Sequence, residues 1–271
     1  MYETYWRLKQ KPFENAADPR FYYPAESHQA ALLKLRYAIE NRRGAGLLVG
    51  PSGSGKTLVA TMLRGMLGEL YAPFVHLVFP QMSSADLLAY LADEFTGGTA
   101  ATPDVQTSVR RIERFLTANV ARNRHAVVAI DEAQLIADPQ TLETLRLLLN
   151  FEPNGVPALT LLLIGQPSIL TVVERMPHWE ERLGVKSLLR PFNESETAAY
   201  VEHRLRVAGS PRSIVDPDAL PTLQELTNGI PRRINRLCDL ALLVGYAEEQ
   251  QMLSASHFES VCRELVAMTP D

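Results

Sequence analysis

Short runs of apolar residues alternate with longer amphipathic stretches over the first 190 residues of the chain. The apolar runs have the length of buried strands, and they cover residues 45–50, 74–79, 126–130, 158–164 and 185–189. Helix-like spacing, with apolar residues every three or four positions, is found at residues 26–41, 58–70, 84–95, 107–122 and 139–151 and in a short segment that ends at residue 173. Strands that alternate with helices predict an α/β fold, with a five-stranded parallel sheet and helices on both of its faces.

The strand pattern stops after residue 192. Helical spacing continues over residues 193–207, 217–228, 231–247 and 254–267, with Asn193 or Ser195 as the cap of the first of these helices. The sequence therefore predicts three parts, which are an N-terminal arm (residues 1–24), an α/β core (residues 25–192) and a small all-helical lid domain (residues 193–271). A glycine-rich, flexible connection is predicted inside the core at residues 97–103.

A glycine-rich loop lies between the first predicted strand and the helix that follows it. It fits G-x-x-x-x-G-K-[ST], the pattern of loops that wrap nucleotide phosphates, and its residues are Gly50, Pro51, Ser52, Gly53, Ser54, Gly55, Lys56 and Thr57. The glycines let backbone N–H groups turn toward the phosphates, and the start of the next helix at Leu58 adds a partial positive charge. We expect Lys56 to reach the β- and γ-phosphates and the Thr57 hydroxyl to hold Mg²⁺. The loop thus predicts a P-loop NTPase that binds ATP and Mg²⁺.

Two acidic residues, Asp131 and Glu132, end the third predicted strand. A carboxylate at this tip can hold Mg²⁺, and its neighbour can polarise the water that attacks the γ-phosphate, so that Asp131 is the expected metal ligand and Glu132 the expected general base. Gln166 ends the fourth strand, which is expected to emerge beside the third. Its amide either orients the attacking water or belongs only to the turn before Pro167. Together these residues predict an ATP hydrolase.

Arginines are the remaining candidates for phosphate contacts. Arg accounts for 22 of the 27 basic residues, so a lone Arg is a weak signal in this chain. Arg182, between the short helix and the fifth strand, is expected to face away from its own site and toward the γ-phosphate of a neighbouring subunit. Arg175 is the other candidate for this contact. Alternatively, Arg182 is only a solvent-exposed surface residue. Arg232 opens a helix of the predicted lid, from which its side chain can reach back to the phosphates.

The N-terminal arm is rich in aromatic residues and proline. Irregular spacing and two prolines predict an extended segment that lies across the surface of a domain. Phe21, Tyr22 or Tyr23 either covers the adenine of a bound nucleotide or pins the arm in place.

Composition narrows the choice of partners and location. A hydrophobic content of 46%, a charged content of 21% and a net charge of −4 are typical of a globular protein, and they argue against one whose whole surface coats nucleic acid. A local basic patch could still bind nucleic acid, and the candidate residues are Arg110, Arg111, Arg114, Arg122 and Arg124. Cys238 and Cys262 lack metal-ligand spacing and predict buried free thiols. With no signal peptide and no apolar run long enough to span a membrane, we expect a cytoplasmic protein that reaches the inner membrane only through a partner.

These motifs together resemble the AAA+ ATPases, and more narrowly the general secretion pathway protein A (ExeA-type) ATPases. The resemblance runs over nearly the whole chain, through residues 18–21, 28–32, 50–57, 130–134, 145–152, 163–167, 197–200 and 229–239. It implies Walker A roles for Lys56 and Thr57, Walker B roles for Asp131 and Glu132, sensor 1 for Gln166, the arginine finger for Arg182 and sensor 2 for Arg232. It also implies a homo-oligomeric ring and, in the secretion members of the family, assembly of an outer-membrane secretin.

Three hypotheses follow. The first is an ATP hydrolase that drives a conformational change or assembly of a protein partner, within a secretion or envelope apparatus. The secretion members carry a transmembrane segment and a peptidoglycan-binding domain after the ATPase part, and the sequence up to Asp271 contains neither, so other partners stay open. The second is a DNA-associated AAA+ ATPase that assists transposition or recombination. The third is an ATP-gated binding module with negligible turnover.

Overall fold

Five strands form one parallel sheet in the computed structural model, which describes residues 1–98, 104–136 and 138–267. The strands are β1 (Ala45–Val49), β2 (Phe74–Leu77), β3 (Ala126–Ile130), β4 (Leu159–Gly165) and β5 (Leu183–Leu188). Their order across the sheet is β2-β3-β4-β1-β5, and every pairing is parallel. The predicted α/β fold is therefore confirmed, and the fourth strand does emerge beside the third.

The α-helices of the described residues are α1 (Tyr2–Tyr5), α2 (Glu26–Glu40), α3 (Lys56–Met66), α4 (Ser84–Thr96), α5 (Val105–Ala121), α6 (Pro139–Leu148), α7 (Ser168–Glu174), α8 (Pro177–Glu180), α9 (Glu194–Val207), α10 (Leu220–Thr227), α11 (Pro231–Ala247) and α12 (Ala255–Ala267). Two of them, α1 and α8, are single turns that the sequence pattern did not predict. Helix α3 ends before the predicted residue 70, because Gly65 and Gly68 weaken its last turn.

Polar caps determine where several helices begin. The Ser83 side chain accepts the Asp86 N–H at the start of α4, and Asp104 accepts the Thr107 N–H at the start of α5. Asn193 caps α9 in a reciprocal capping box with Glu196, which decides between the two predicted caps. At its other end α4 stops at Gly97, whose left-handed conformation suits glycine. The rest of the predicted flexible connection, residues 99–103, lies outside the described residues.

The central strands are covered on both faces, which explains their uninterrupted apolar sequences. Every residue of β1, β3 and β4 is buried. One face of these strands shares a core with α4, α5, α6 and α7. On the opposite face Leu35 of α2 lies so close to β1 that a Cβ at Gly46 would be 3.2 Å from the Leu35 Cδ2 atom. Gly46 therefore lets α2 pack directly on the sheet.

The chain divides into two compact units. The sheet unit consists of Ser27–Gly50 and Val59–Leu189, whereas the helical unit consists of Met1–Glu26, Pro51–Leu58 and the residues from Arg190 onward. This grouping places the N-terminal arm with the C-terminal helices. The predicted division into an arm (residues 1–24), a core (residues 25–192) and a lid (residues 193–271) stays a prediction.

The N-terminal arm does not lie across a surface as predicted. Instead it is part of the core of the helical unit, where Trp6 is fully buried and its indole N–H donates to the Leu242 carbonyl at 2.9 Å. The buried Arg204 guanidinium donates to the carbonyl oxygens of Pro12 and Glu14, at 2.5 and 2.8 Å. Burial of the aromatic rings explains why the segment folds inward despite its irregular pattern, and the hydrogen bonds to the arm carbonyls offset the cost of burying the Arg204 charge.

The rings at the end of the arm also pack within the helical unit. Phe21 is buried beneath the Arg204 guanidinium, whose central carbon is 4.5 Å from the ring centroid. Tyr23 makes edge-on contacts with Phe192 and Tyr200. These contacts favour the interpretation that the rings pin the arm in place.

The two cysteines are free thiols, as predicted. Cys238 is fully buried and Cys262 is partly buried. Burial raises the pKa of the Cys238 thiol, which makes it an unreactive core residue. Among the described residues no helix is both long and apolar enough to cross a membrane.

A buried histidine in the sheet unit predicts a measurable pH dependence of stability. His125 Nδ1 lies 3.2 Å from the Pro157 carbonyl oxygen and Nε2 lies 2.8 Å from the Thr160 hydroxyl. Because a carbonyl only accepts, Nδ1 carries the proton of the neutral ring and Nε2 accepts from Thr160. Burial, together with the nearby Arg42 charge, lowers the pKa of His125 from 6.5 to about 4.

Unfolded chains take up a proton at this histidine below pH 6.5, whereas the folded protein resists protonation until about pH 4. The free energy of unfolding is therefore expected to fall as the pH drops through this window, by on the order of 3 kcal/mol from this residue. Urea denaturation at pH 7, 6 and 5 measures the slope, and His125→Gln is expected to flatten it. Equal slopes for the two proteins would rule out the effect.

Candidate functional site

The phosphate loop connects β1 to α3. Its glycines Gly53 and Gly55 have φ values of +79° and +93°, a left-handed backbone that residues with a side chain rarely adopt. The Ser54 N–H donates to the Pro51 carbonyl at 3.2 Å, which closes the turn. The turn delivers Lys56 to the first position of an 11-residue helix, where backbone N–H groups have no partner within the helix. This is the geometry that binds phosphate at helix starts.

Lys56 is buried and folds over its own loop. Its Nζ atom donates to the Pro51 carbonyl at 3.0 Å, and only 5% of the residue is exposed. Thr57 and Leu58 follow in the first turn of α3 and are partly exposed. The lysine thus carries its charge inside the loop, and its contact with phosphate stays a prediction.

Arg232, predicted to reach the phosphates, contacts the loop within the helical unit. The Arg232 backbone N–H donates to the Gly53 carbonyl at 3.2 Å. A Cβ at Gly53 would lie 2.7 Å from the Arg232 Cβ and 3.3 Å from Cγ2 of Ile230. Gly53 therefore permits both the left-handed turn and the close approach of the start of α11. The Arg232 side chain itself is exposed.

Asp131 and Glu132 directly follow β3 in the sheet unit. Asp131 is 1% exposed, and its Oδ1 atom accepts the Glu132 N–H at 2.9 Å while Oδ2 lies 3.5 Å from Nε2 of His76. Glu132 is partly exposed and has a left-handed backbone, with a φ of +49°. A buried carboxylate with a half-exposed carboxylate beside it provides the oxygen donors that Mg²⁺ prefers and an acid–base group that water can reach.

Gln166 directly follows β4, so that it lies at the same carboxyl edge of the sheet as Asp131 and Glu132. Its carbonyl accepts the Ile169 N–H at 3.0 Å in the first turn of α7, and its own N–H donates to Oε1 of Gln134 at 2.9 Å. The structure thus brings Gln166 and Glu132 to one edge of the sheet, and the water-orienting role of Gln166 stays a prediction.

Sequence reasoning did not identify Gln134. Its side chain also contacts Glu132, with Nε2 donating to Oε2 at 2.5 Å. The sequence gives little indication of this residue, because a glutamine two residues after an acidic pair is unremarkable by itself. Its two contacts become evident only when β4 is seen to lie beside β3.

Arg182 lies at the opposite edge of the sheet. It precedes Leu183, which pairs with Ala45 where β5 and β1 begin, and its Nη2 atom donates to Oδ1 of Asn150 at 2.7 Å. Arg175 is exposed just after α7. The structure therefore does not bring Arg182 to the edge that carries Glu132, and a contact with another copy of the chain stays a prediction for either arginine.

Comparison with known proteins agrees with this geometry. Residues 39–173 match the family model described as an AAA domain. Together with the five-stranded parallel sheet, this match identifies residues 39–173 as an AAA domain.

Among characterised proteins, the chain is 35% identical over 249 residues to general secretion pathway protein A of Aeromonas hydrophila. The alignment covers 91% of this chain and 45% of that protein, so the chain spans less than half of the relative's length. The resemblance inferred from the motifs is confirmed.

Two solved structures share the fold. The Aeropyrum pernix ORC2 protein, solved in ADPNP–ADP complexes, has a TM-score of 0.70 at 18% identity, and the match covers 96% of this chain and 75% of that one. The Aeropyrum pernix ORC1 protein in complex with DNA has a TM-score of 0.67 at 17% identity, with coverage of 96% and 69%. At these identities the likeness shows the fold alone.

Proposed function

We propose that the chain hydrolyses ATP to ADP and phosphate and couples this reaction to a change in conformation or assembly of a protein partner. The phosphate loop carries the proposal, since Gly53 and Gly55 adopt left-handed conformations directly before Lys56 at the start of α3. Left-handed glycines directly before a buried lysine at a helix start are the pattern of a phosphate-binding loop. The AAA domain match supports nucleotide as the ligand.

The residues present fit Mg²⁺ as well as ATP. Thr57 offers a hydroxyl and Asp131 a buried carboxylate, which are hard oxygen donors of the kind Mg²⁺ prefers. When bound, Mg²⁺ would neutralise charge on the β- and γ-phosphates. We assign Thr57 and Asp131 to the metal.

Other residues of the chain are assigned to phosphate binding, proton transfer and nucleotide sensing. The loop N–H groups and Lys56 hold the phosphates, Glu132 takes a proton from the attacking water, and Gln166 orients that water. Arg232, on the helix whose start touches Gly53, is assigned to sensing the nucleotide. Arg182 of a neighbouring copy is assigned to the γ-phosphate, which implies a homo-oligomeric ring.

The similarity to general secretion pathway protein A suggests a partner in a secretion or envelope apparatus. With such a partner, the chain would work in the cytoplasm and reach the inner membrane through that protein. Since the chain spans less than half of this relative, its partner is assigned by analogy.

Magnesium dependence tests the proposed reaction. The purified chain is expected to release phosphate from ATP, and chelation of Mg²⁺ with EDTA is expected to stop release until the metal is restored. Asp131→Asn, which keeps the size of the side chain but removes its charge, should raise the Mg²⁺ concentration needed for half-maximal rate. Asp86→Asn, at an exposed helix start in the sheet unit, is the matched control. Turnover that is indifferent to EDTA would contradict the proposal.

A second candidate is an ATPase that acts together with DNA. Its specific support is a group of exposed arginines on and just after α5, consisting of Arg110, Arg114, Arg122 and Arg124. Arg111 is instead paired with Asp93. DNA binding that weakens steeply with salt, that stimulates ATP turnover and that is lost in Arg110→Ala/Arg114→Ala would favour this candidate. DNA without effect on turnover would favour a protein partner.

A further inference from the structure

The side chain of Gln134 connects the ends of two neighbouring strands. Residues Ala133–Leu135 form a 3-10 turn after β3, which returns the Gln134 amide toward Glu132. Its Nε2 atom donates to the Glu132 carboxylate at 2.5 Å, and its Oε1 atom accepts the Gln166 N–H at 2.9 Å. The carboxylate at the end of β3 is thereby tied, through one side chain, to the backbone at the end of β4.

The chemistry of the two partners fixes the orientation of this amide. A backbone N–H can only donate, so the atom that faces Gln166 must be the amide oxygen. The amide nitrogen then faces Glu132, whose ionised carboxylate can only accept. Glutamine matches both requirements, because glutamate has no donor for Glu132 and asparagine is one methylene shorter.

Gly165 provides the space for this bridge. A Cβ at this position would lie 2.7 Å from Oε1 of Gln134, closer than real Cβ contacts. Its other neighbours, the backbone nitrogens of Gln134 and Ala133, would be at ordinary contact distances of 3.4 and 3.6 Å. An alanine here would therefore fit only if the Gln134 amide moved away, because the end of a flexible side chain yields more easily than backbone.

Glu132 itself has a backbone that needs support. A left-handed conformation is uncommon for a residue with a long side chain, and such strain persists where the surroundings fix it. The carboxylate is only partly buried, so that rotation about its side-chain bonds would otherwise move it by more than an ångström. A misplacement of about 1 Å can cost about 100-fold in rate.

We propose that Gln134 is a positioning residue that holds the Glu132 carboxylate at the place from which it takes a proton from the attacking water. This inference rests on the proposed ATP hydrolysis, and it assigns to Gln134 a role in turnover without a contact to the nucleotide. It also explains why residue 165 is glycine although its backbone is not left-handed.

Kinetics of three variants test the proposal in the full chain. Gln134→Ala removes the bridge, Gln134→Glu keeps its length but removes the donor, and Gly165→Ala displaces the bridge while leaving Gln134 in the sequence. Each is expected to lower kcat for ATP by about 10- to 100-fold, with unchanged affinity for a fluorescent ATP analogue, and a thermal unfolding midpoint well above the assay temperature shows that each variant is folded. Gln140→Ala, which truncates an exposed glutamine on α6, is the matched control and should retain full kcat.

A double variant separates positioning from a purely structural role. In a Glu132→Gln background no base remains to be positioned, so adding Gln134→Ala should leave the residual rate unchanged. A wild-type or increased kcat for Gln134→Ala, or the same fractional loss in both backgrounds, would overturn the proposal. Full activity of Glu132→Gln alone would instead refute the assignment of the base, and the two failures are thus distinguishable.

Discussion

Replacement of Lys56 by alanine is expected to reduce ATP affinity by at least about tenfold, since a charge-assisted hydrogen bond contributes about 1.5–3 kcal/mol. The lysine is 5% exposed and already bonded to the Pro51 carbonyl, so its charge is held inside the loop before nucleotide arrives. Little conformational entropy is lost when the side chain transfers to a phosphate, and the bond to a neutral carbonyl is exchanged for a stronger one to a charged phosphate oxygen. Isothermal titration calorimetry with ATP and Mg²⁺ measures the loss.

Two further variants of the chain test whether the loss of affinity is specific to Lys56 and its charge. Lys56→Arg keeps the positive charge and is expected to retain more affinity than Lys56→Ala. Lys34→Ala removes an exposed lysine from α2 and should bind ATP as the wild type does. Wild-type affinity in Lys56→Ala would show that the loop does not hold phosphate.

Glu132→Gln is expected to separate binding from turnover. The amide keeps the size of the side chain and still accepts a hydrogen bond from Gln134, but it cannot take a proton from water. General-base catalysis typically contributes about 10²- to 10⁴-fold, so kcat should fall by about that factor while ATP affinity is preserved. Single-turnover phosphate release measures the chemical step directly.

Glu113→Gln, on the exposed face of α5, is the matched control for this substitution and should keep the wild-type rate. If Glu132→Gln hydrolysed ATP as fast as the wild type, Glu132 would not be the base. If it failed to bind ATP, its role would be in folding or binding. Neither outcome is compatible with the proposed chemistry.

Much of the fold could be predicted because buried parallel strands have distinctive sequences. The runs at β1, β3 and β4 are apolar throughout, since both faces of each strand are covered. The edge strand β5 alternates between exposed positions and positions that are half-buried or, at Ser187, buried, and its start at Leu183 lies two residues before the predicted start. Short helices such as α8 have too few residues for a periodic signal.

The N-terminal arm was harder to predict because tertiary contacts decide its structure. Its rings are buried against the C-terminal helices, and its carbonyls accept hydrogen bonds from Arg204, about 190 residues away in the sequence. In a chain whose basic residues are mostly arginine, nothing in the sequence distinguishes this one. The same limitation applies to Gln134, whose two partners become neighbours only through the pairing of β3 with β4.

The site residues that the sequence predicts most directly are those whose proposed roles depend on local sequence. The phosphate loop needs its glycines and lysine at fixed spacing, and the acidic pair follows directly from the end of a strand. Arg182 and Arg232 depend on longer-range geometry. The structure places the start of α11 against Gly53, whereas Arg182 lies at the far edge of the sheet, hydrogen-bonded to Asn150.

A crystal of the chain grown with ADPNP and Mn²⁺ tests the central claim most directly, since it shows whether the loop that connects β1 to α3 binds a metal–triphosphate. We expect the β- and γ-phosphates to lie within the loop formed by residues 50–57, with Lys56 bonded to them and an anomalous manganese signal beside the Thr57 hydroxyl. A loop without nucleotide at saturating ADPNP, or manganese bound only elsewhere, would contradict the account.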